Sequence, residues 1–244
     1  MQLPDISLAV KSLITKIGGP LLAIDTATAI GSIALATSTK CYEQTLAAAA
    51  RPSDTLACVI NELFIKAGIG GCDLKGIIVG LGPGSFTGLR VALATVKGLA
   101  FSAETPVYGV SSLALLAAGY GVGLSAPILD ARRGEVFCAV YEVKDDGVVA
   151  LKVEDAVRTP LEFARLLTNS NSEYDLVKII GDKSASSAEV ANACGKTIFE
   201  IPAPRAAAGF LLAADRIYKQ QKENILTLIP RYLRASAAEQ SIQS

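Results

Sequence analysis

Short apolar runs rich in β-branched residues alternate along this chain with longer stretches whose apolar residues recur every three to four positions. That is the pattern of buried strands interleaved with amphipathic helices. Ile6, Val10, Leu13, Ile14 and Ile17 share one helical face with Lys11 and Lys16 off it, which predicts a helical extension within residues 1–19. Leu21 to Ile24 then reads as a buried strand ending at Asp25, Thr26 to Gly31 as a turn, and Ser32 to Thr37 as the returning strand. A third strand is predicted around Cys41 to Ala47. Ser53 follows as an N-cap with Asp54 behind it, opening a helix with the stripe Leu56, Val59, Ile60, Leu63, Phe64 and Ala67 that Gly68 ends.

The stretch from Gly76 to Phe101 organises the rest. Ile77, Ile78 and Val79 form a buried strand, Gly82-Pro83-Gly84-Ser85 a turn, and the residues after it a helix. Strand, glycine turn and helix can make an anion cradle, because the first amides of the helix have no partner within it. The spacing is G-x-G-x-x-x-G, one residue longer than the dinucleotide fingerprint; no Gly-Lys-Ser/Thr follows, and Pro83 lacks an amide donor. From the residues alone the turn is either a phosphate contact or a tight connection. On the helix, Leu89, Ala92, Leu93, Val96 and Leu99 mark the face for the sheet, and Thr87, Arg90, Ala94, Lys97, Gly98 and Phe101 fall opposite. That outer face carries two charges, small residues and a terminal aromatic, as a helix–helix contact would; the alternative is an alanine-rich surface helix.

The second half repeats the first weakly. Pro127 to Asp130, a turn ending at Gly134 and a strand from Val136 to Val143 parallel Pro20 to Asp25, Gly31 and the strand beyond. Asp146-Gly147 predicts a hairpin into Val148 to Val153, and Thr159-Pro160-Leu161-Glu162 a capping box with Pro at the first helical position. Leu176 to Ile180 reads as another strand closed by Gly181-Asp182, and Ala206 to Lys219 as a last helix with Phe210, Ala214 and Ile217 on one face. Beyond Arg234 the residues are small and polar, with too little apolar surface to order them.

The string GPGSFTGLR, its small-residue helix and the following Pro106-Val107-Tyr108-Gly109-Val110-Ser111-Ser112 closely resemble the TsaB (YeaZ) family. Leu22 to Thr28, Leu129 to Val136 and Pro230-Arg231-Tyr232-Leu233-Arg234 match in the same order, so the resemblance runs from about residue 20 to 234. It implies two actin-like, ribonuclease H-like halves of the ASKHA superfamily, with duplicated mixed sheets flanked by helices. The expected limits are an extension at 1–19, a first half at 20–110 completed by the helix at 206–219, a smaller second half at 111–205, and a tail at 220–244.

The resemblance also implies a non-catalytic scaffold subunit. Its partner is the paralogous TsaD, which binds metal and moves a threonylcarbamoyl group onto the adenosine beside the anticodon of tRNAs reading codons that begin with A. The ATPase TsaE is a further partner, a homodimer is expected when TsaD is absent, and tRNA is met only within the complex. No cofactor is required by this subunit itself, and ATP or ADP is placed at the subunit interface. The outer helix face at Thr87, Arg90, Ala94, Lys97, Gly98 and Phe101, beside the helix from Ser53, is the implied partner interface. Asp25, Thr26, Gly82, Gly84 and Ser85 are nucleotide-binding candidates, on the pattern of the first phosphate loop of actin and Hsp70-like ATPases. Two departures stand out: Ala27 where those ATPases place glycine, and Pro52 where the family usually carries histidine. Asp25 is alternatively a cap for its own turn. Arg132 and Arg133 are candidate RNA contacts or, alternatively, a solvated turn.

Composition narrows this further. With no histidine among 244 residues, histidine triads and histidine–metal sites are excluded. Lys plus Arg equals Asp plus Glu at 23 each, so no overall field draws in a polyanion, and weak RNA affinity is expected of the isolated chain. Five scattered cysteines without C-x-x-C read as small core residues in a reducing cytoplasm. No run of about 18 apolar residues calls for a membrane span, and no basic residue precedes the first apolar stretch as a secretory signal would need. The competing function is an independent actin-like ATPase or small-molecule kinase. That reading needs a carboxylate base and glycine-rich phosphate loops in both halves, whereas the second turn here is Ala131-Arg132-Arg133.

Overall fold

The computed structural model describes residues 6–46, 52–169, 174–201 and 205–233, with side chains placed from Val10 onward and, after the first gap, from Thr55. It contains two five-stranded mixed sheets. The first is built from β1 (Leu21–Asp25), β2 (Ser32–Ala36), β3 (Cys41–Thr45), β4 (Gly76–Gly80) and β5 (Val107–Val110), in the order β3-β2-β1-β4-β5. The second is built from β6 (Gly123–Arg132), β7 (Glu135–Val143), β8 (Val149–Arg158), β9 (Lys178–Gly181) and β10 (Ile198–Glu200), in the order β10-β9-β6-β7-β8. In each, three strands form an antiparallel meander and the last two run parallel to the first of them. The doubled order confirms the expected duplication. β1 and β4 are buried at every position, as continuous apolar runs require.

Helices cover both faces of the first sheet. Under α2 (Pro52–Ala67) and α3 (Phe86–Ala103), Leu56, Leu63, Leu89, Ala92 and Val96 are buried. On the opposite face lie α1 (Ile6–Ile17), α7 (Ala208–Leu212) and α8 (Ala214–Tyr218), where Val10, Leu13 and Ile14 share one cluster with Ala34, Phe210 and Ile217. The N-terminal helix is thus part of the first half's core, and Lys16 lies 3.9 Å from the centre of the Tyr218 ring. Each large apolar side chain so buried contributes roughly 1.5–3 kcal/mol. α5 (Pro160–Thr168) and α6 (Ala185–Ala193) cover the second sheet through Phe163, Leu167 and Val190, and the capping box at Thr159 and Glu162 forms as predicted. Between the halves runs α4 (Ser112–Tyr120), which has no polar face: its first seven residues are buried, Leu115 in the first half's cluster and Leu113, Leu116 and Ala117 against the second sheet.

Several expectations need correction. Helix α2 begins at Pro52, so Ser53 sits in its first turn and is not the residue before it. The predicted strand at Leu176 begins only at Lys178, because a turn with Val177 N–H donating to Tyr174 O at 3.0 Å precedes it and leaves Leu176 87% exposed. The single helix from Ala206 to Lys219 is two short ones meeting at Ala213. Its entry closes with tighter i→i−3 bonds from Ala208, Gly209 and Phe210. Of the five cysteines, Cys138 is buried and Cys194 half-buried, but Cys41, Cys58 and Cys72 are exposed, on an edge strand, the outer side of α2 and a short turn. The third strand ends at Thr45; Ala47, Ile6's side chain, Arg234 and the tail beyond it lie outside the described residues.

Candidate functional site: the cleft and the outer face of α3

The β1–β2 turn is held by its own aspartate. Asp25 Oδ1 accepts from Ala27 N–H at 2.8 Å, Oδ2 accepts from the Ser112 hydroxyl at 2.5 Å, and that hydroxyl oxygen accepts from Gly82 N–H at 3.1 Å. Burial pushes the Asp25 carboxyl up to about 6, against the opposing pull of Ser112 and the Ala27 amide. Around it the backbones approach so closely that side chains are excluded: a Cβ on Gly80 would stand 1.8 Å from Asp25 Oδ2, and one on Gly88 2.1 Å from Thr26 O. Thr26 Oγ1 donates to Gly88 O at 2.8 Å and Ser85 N–H to Ala27 O at 2.7 Å, while Ser85 Oγ caps α3 by accepting from Gly88 N–H at 3.2 Å. The glycines of the central motif therefore serve to lock the entry of α3 onto the β1–β2 turn.

Among the five nucleotide candidates, Asp25, Thr26 and Gly82 are buried beneath the surface, and only Gly84 and Ser85 face open space. That space is a cleft of about 860 Å³ between the halves. The first half contributes Ala27 to Ile30 and Pro83 to Thr87, the second Asp130 to Arg133 and Asp182 to Ser184, and the returning chain Arg231 to Leu233. In the second half Asp130 Oδ1 accepts from Arg132 N–H at 2.8 Å, and Asp182 Oδ2 accepts from Asp130 N–H at 2.9 Å. Arg132, Arg133 and Gly134 all have positive φ (64°, 56° and 77°), so a tight hairpin turn, preceded by a bulge, carries two arginines where glycine or asparagine is the unstrained choice. Both candidate RNA contacts thus line the cleft. Arg132 is paired with Asp130 at 3.2 Å and is 86% exposed, and Lys183 across the floor pairs with Glu200 at 2.6 Å.

The six residues assigned to the outer face of α3 do share one side. Thr87, Arg90, Ala94, Gly98 and Phe101 are exposed and Lys97 is half-buried, with Phe101 exposed to 75%. A groove of about 320 Å³ separates Lys97, Gly98 and Phe101 from Ile225 and Leu226. Arg90 also reaches the cleft rim: its Nε donates to Tyr232 Oη at 3.0 Å and its guanidinium lies 3.8 Å from the centre of the Phe86 ring, while the Phe86 and Tyr232 rings stand 5.4 Å apart. Sequence reasoning missed this pair. Both residues stood within the quoted motifs, but nothing local says that a ring at the start of α3 meets one at the chain's far end. Among the described residues no helix is long and apolar enough to cross a membrane.

Two sheets with the same strand order, with a cleft between the halves they build, define a duplicated α/β protein. A family model described as TsaD: tRNA N6-adenosine threonylcarbamoyltransferase matches residues 46–242. The chain belongs to that family, among its TsaB (YeaZ) members. It is 32% identical over 144 residues, 57% of this chain, to the tRNA threonylcarbamoyladenosine biosynthesis protein TsaB of Escherichia coli. Over 75 residues, 30% of this chain, it is 47% identical to the protein of the same name from Bacillus subtilis. These matches span 62% and 33% of the relatives' own lengths, less than two thirds of either. The solved structure of YeaZ from Pseudomonas aeruginosa superposes with a TM-score of 0.74 at 27% identity, covering 88% of this chain and all of that one.

Proposed function

We propose that this chain is the non-catalytic partner subunit for threonylcarbamoyl transfer onto tRNA, and that it pairs with TsaD through the outer face of α3 and the neighbouring α2. The observation that carries the reading is that face itself: small residues at Ala94 and Gly98 allow a second helix to approach, and Phe101, three-quarters exposed, is the kind of anchor that dominates interface energies. The names of the matched relatives support the pathway. A silent cleft supports the non-catalytic role. Asp25 is buried and bonded to the backbone and to Ser112, while Asp130 and Asp182 are each engaged by backbone amides, so none of the three is poised as a base. In this reading TsaE supplies ATPase activity, ATP or ADP sits between the two subunits, this subunit needs no cofactor of its own, and tRNA is gripped only by the assembly. A second copy competes with TsaD for the same face, which gives a homodimer when TsaD is absent.

The test is Ala94→Glu. The site is exposed, so circular dichroism should be unchanged, but a charge buried without a partner costs about 3–5 kcal/mol, enough to weaken pairing by two orders of magnitude or more. Pull-down with TsaD and gel filtration read the result; undiminished binding would sink the assignment. The size of the cleft favours a second reading, an independent actin-like ATPase or small-molecule kinase. Steady-state ATP turnover by the purified chain separates the two, since only the second predicts it.

A further inference from the structure

We propose that the inter-half cleft binds one nucleotide unit, with its base laid on the Phe86–Tyr232 pair and its phosphate taken by Arg231 and Arg132. The phosphate-loop candidates do not carry this inference, because Ser85 N–H is spent on Ala27 O and Gly88 N–H on Ser85 Oγ. What carries it is the rim. Phe86 and Tyr232 are 43% and 42% exposed at the cleft, and their rings lie 5.4 Å apart at 36°. The Arg90 guanidinium, 3.8 Å from the Phe86 ring centre and bonded to Tyr232 Oη, ties the two rings together. A flat π-system is the ligand shape that such a surface accepts, and every nucleobase has one.

The cations next to the platform specify the rest of the ligand. Arg231 precedes Tyr232 in the chain, lines the same cleft and enters no ion pair among the described residues. Its place is set by the backbone, through Arg231 N–H donating to Leu81 O at 2.8 Å. Arg132 reaches in from the second half on its strained turn; its one ion pair among the described residues is with Asp130, and its own side chain is 86% exposed, so that pair is worth little and can be exchanged for a phosphate. The cleft's 860 Å³ is ample for a base, ribose and phosphate. An apolar or aromatic side chain of a protein partner would use the rings but has no need of the arginines. The same base and phosphate can come from a free mononucleotide or from an unpaired residue of an RNA strand.

The experiment titrates the full chain into 2-aminopurine riboside monophosphate and into a single-stranded RNA heptamer with 2-aminopurine at its centre, following the fluorescence that stacking quenches. Quenching is expected in at least one arm. Tighter binding of the heptamer assigns the site to RNA, as a single-base contact too weak to grip tRNA outside the assembly; equal affinity assigns it to a free nucleotide. Phe86→Ala should weaken binding about tenfold or more and abolish the quenching, and Phe86→Leu, which keeps apolar bulk, should abolish quenching as well. Arg231→Ala and Arg132→Ala should each weaken binding and flatten its salt dependence. All three positions are exposed, and circular dichroism checks that the variants fold. No quenching by the wild-type chain in either arm, or equal quenching by a folded Phe86→Ala, would overturn the proposal. Because Ala94 lies off the cleft, Ala94→Glu should quench like wild type, so failure of the pairing reading and failure of this one are told apart.

Discussion

The strand-end aspartates of the two halves make the same local bond in different surroundings. Asp25 accepts from Ala27 N–H and Asp130 from Arg132 N–H, each at 2.8 Å and each two residues on. Yet Asp25 is fully buried under the entry of α3, while the Asp130 side chain keeps a quarter of its surface and meets the Arg132 guanidinium. The first turn is clamped by backbone contact with Gly84 and Gly88; around Gly134 in the second, there is open space. Equivalent turns of a duplicated fold have thus parted into a structural joint and an open, cationic lip. The bond an aspartate makes to its own turn is local chemistry, and what the turn is for depends on what packs against it.

The sharpest way to break the comparison is to add one methyl group where α3 clamps the first turn and one within the second. Gly88→Ala puts a Cβ 2.1 Å from Thr26 O, a backbone atom that cannot swing aside, and should destabilise the chain by about 3 kcal/mol or more in urea unfolding. Gly134→Ala meets nothing within 4 Å and should cost only about 1–2 kcal/mol, the penalty of a left-handed backbone.

Next in size is the pH dependence of Asp25. Its carboxyl titrates near 6 in the folded chain against an ordinary value of 3.8, so between these values the folded state holds a proton that the unfolded state has lost. Stability from this group is therefore fully present below about pH 3.8 and lost as pH rises through about 6, a change of about 3 kcal/mol at about 1.4 kcal/mol per unit. Asp25→Asn should remove that slope, seen as the wild-type-minus-variant difference in unfolding free energy between pH 4 and 7, approximate limits that bracket the transition. Asp130→Asn should leave it in place. The smallest effect is expected at the lip: Arg133→Asn, which suits a left-handed turn before glycine, should raise stability by about 0.5–1 kcal/mol in the same urea assay.

Much of the architecture was legible because it is written in short range. The apolar runs of β1 and β4, the two faces of α3, the Thr159–Glu162 capping box and the Asp146-Gly147 turn each depend on residues within a few positions of one another. The candidate site was legible only in part. Gly84, Ser85, Arg132 and Arg133 were placed where they line the cleft, but Asp25 and Thr26 were not separable from them, since a strand end looks the same whether its carboxylate is covered or open. Leu176 and three of the cysteines were misplaced because hydropathy measures a residue's preference, and a turn or an edge strand can overrule it.

Local pattern and composition were enough to set two similar α/β units, a glycine turn feeding a helix with a core face and a spare face, and the exclusion of histidine chemistry. Each of these follows from composition or from periodicities shorter than one helix. Long-range packing was needed to set the motif glycines against a neighbouring backbone, to bury the first seven residues of α4 between the halves, and to bring Phe86, Arg90 and Tyr232 to one rim. Those outcomes depend on contacts between segments far apart in the chain, and such contacts exist only once the two sheets have formed and the last segment has returned across the cleft.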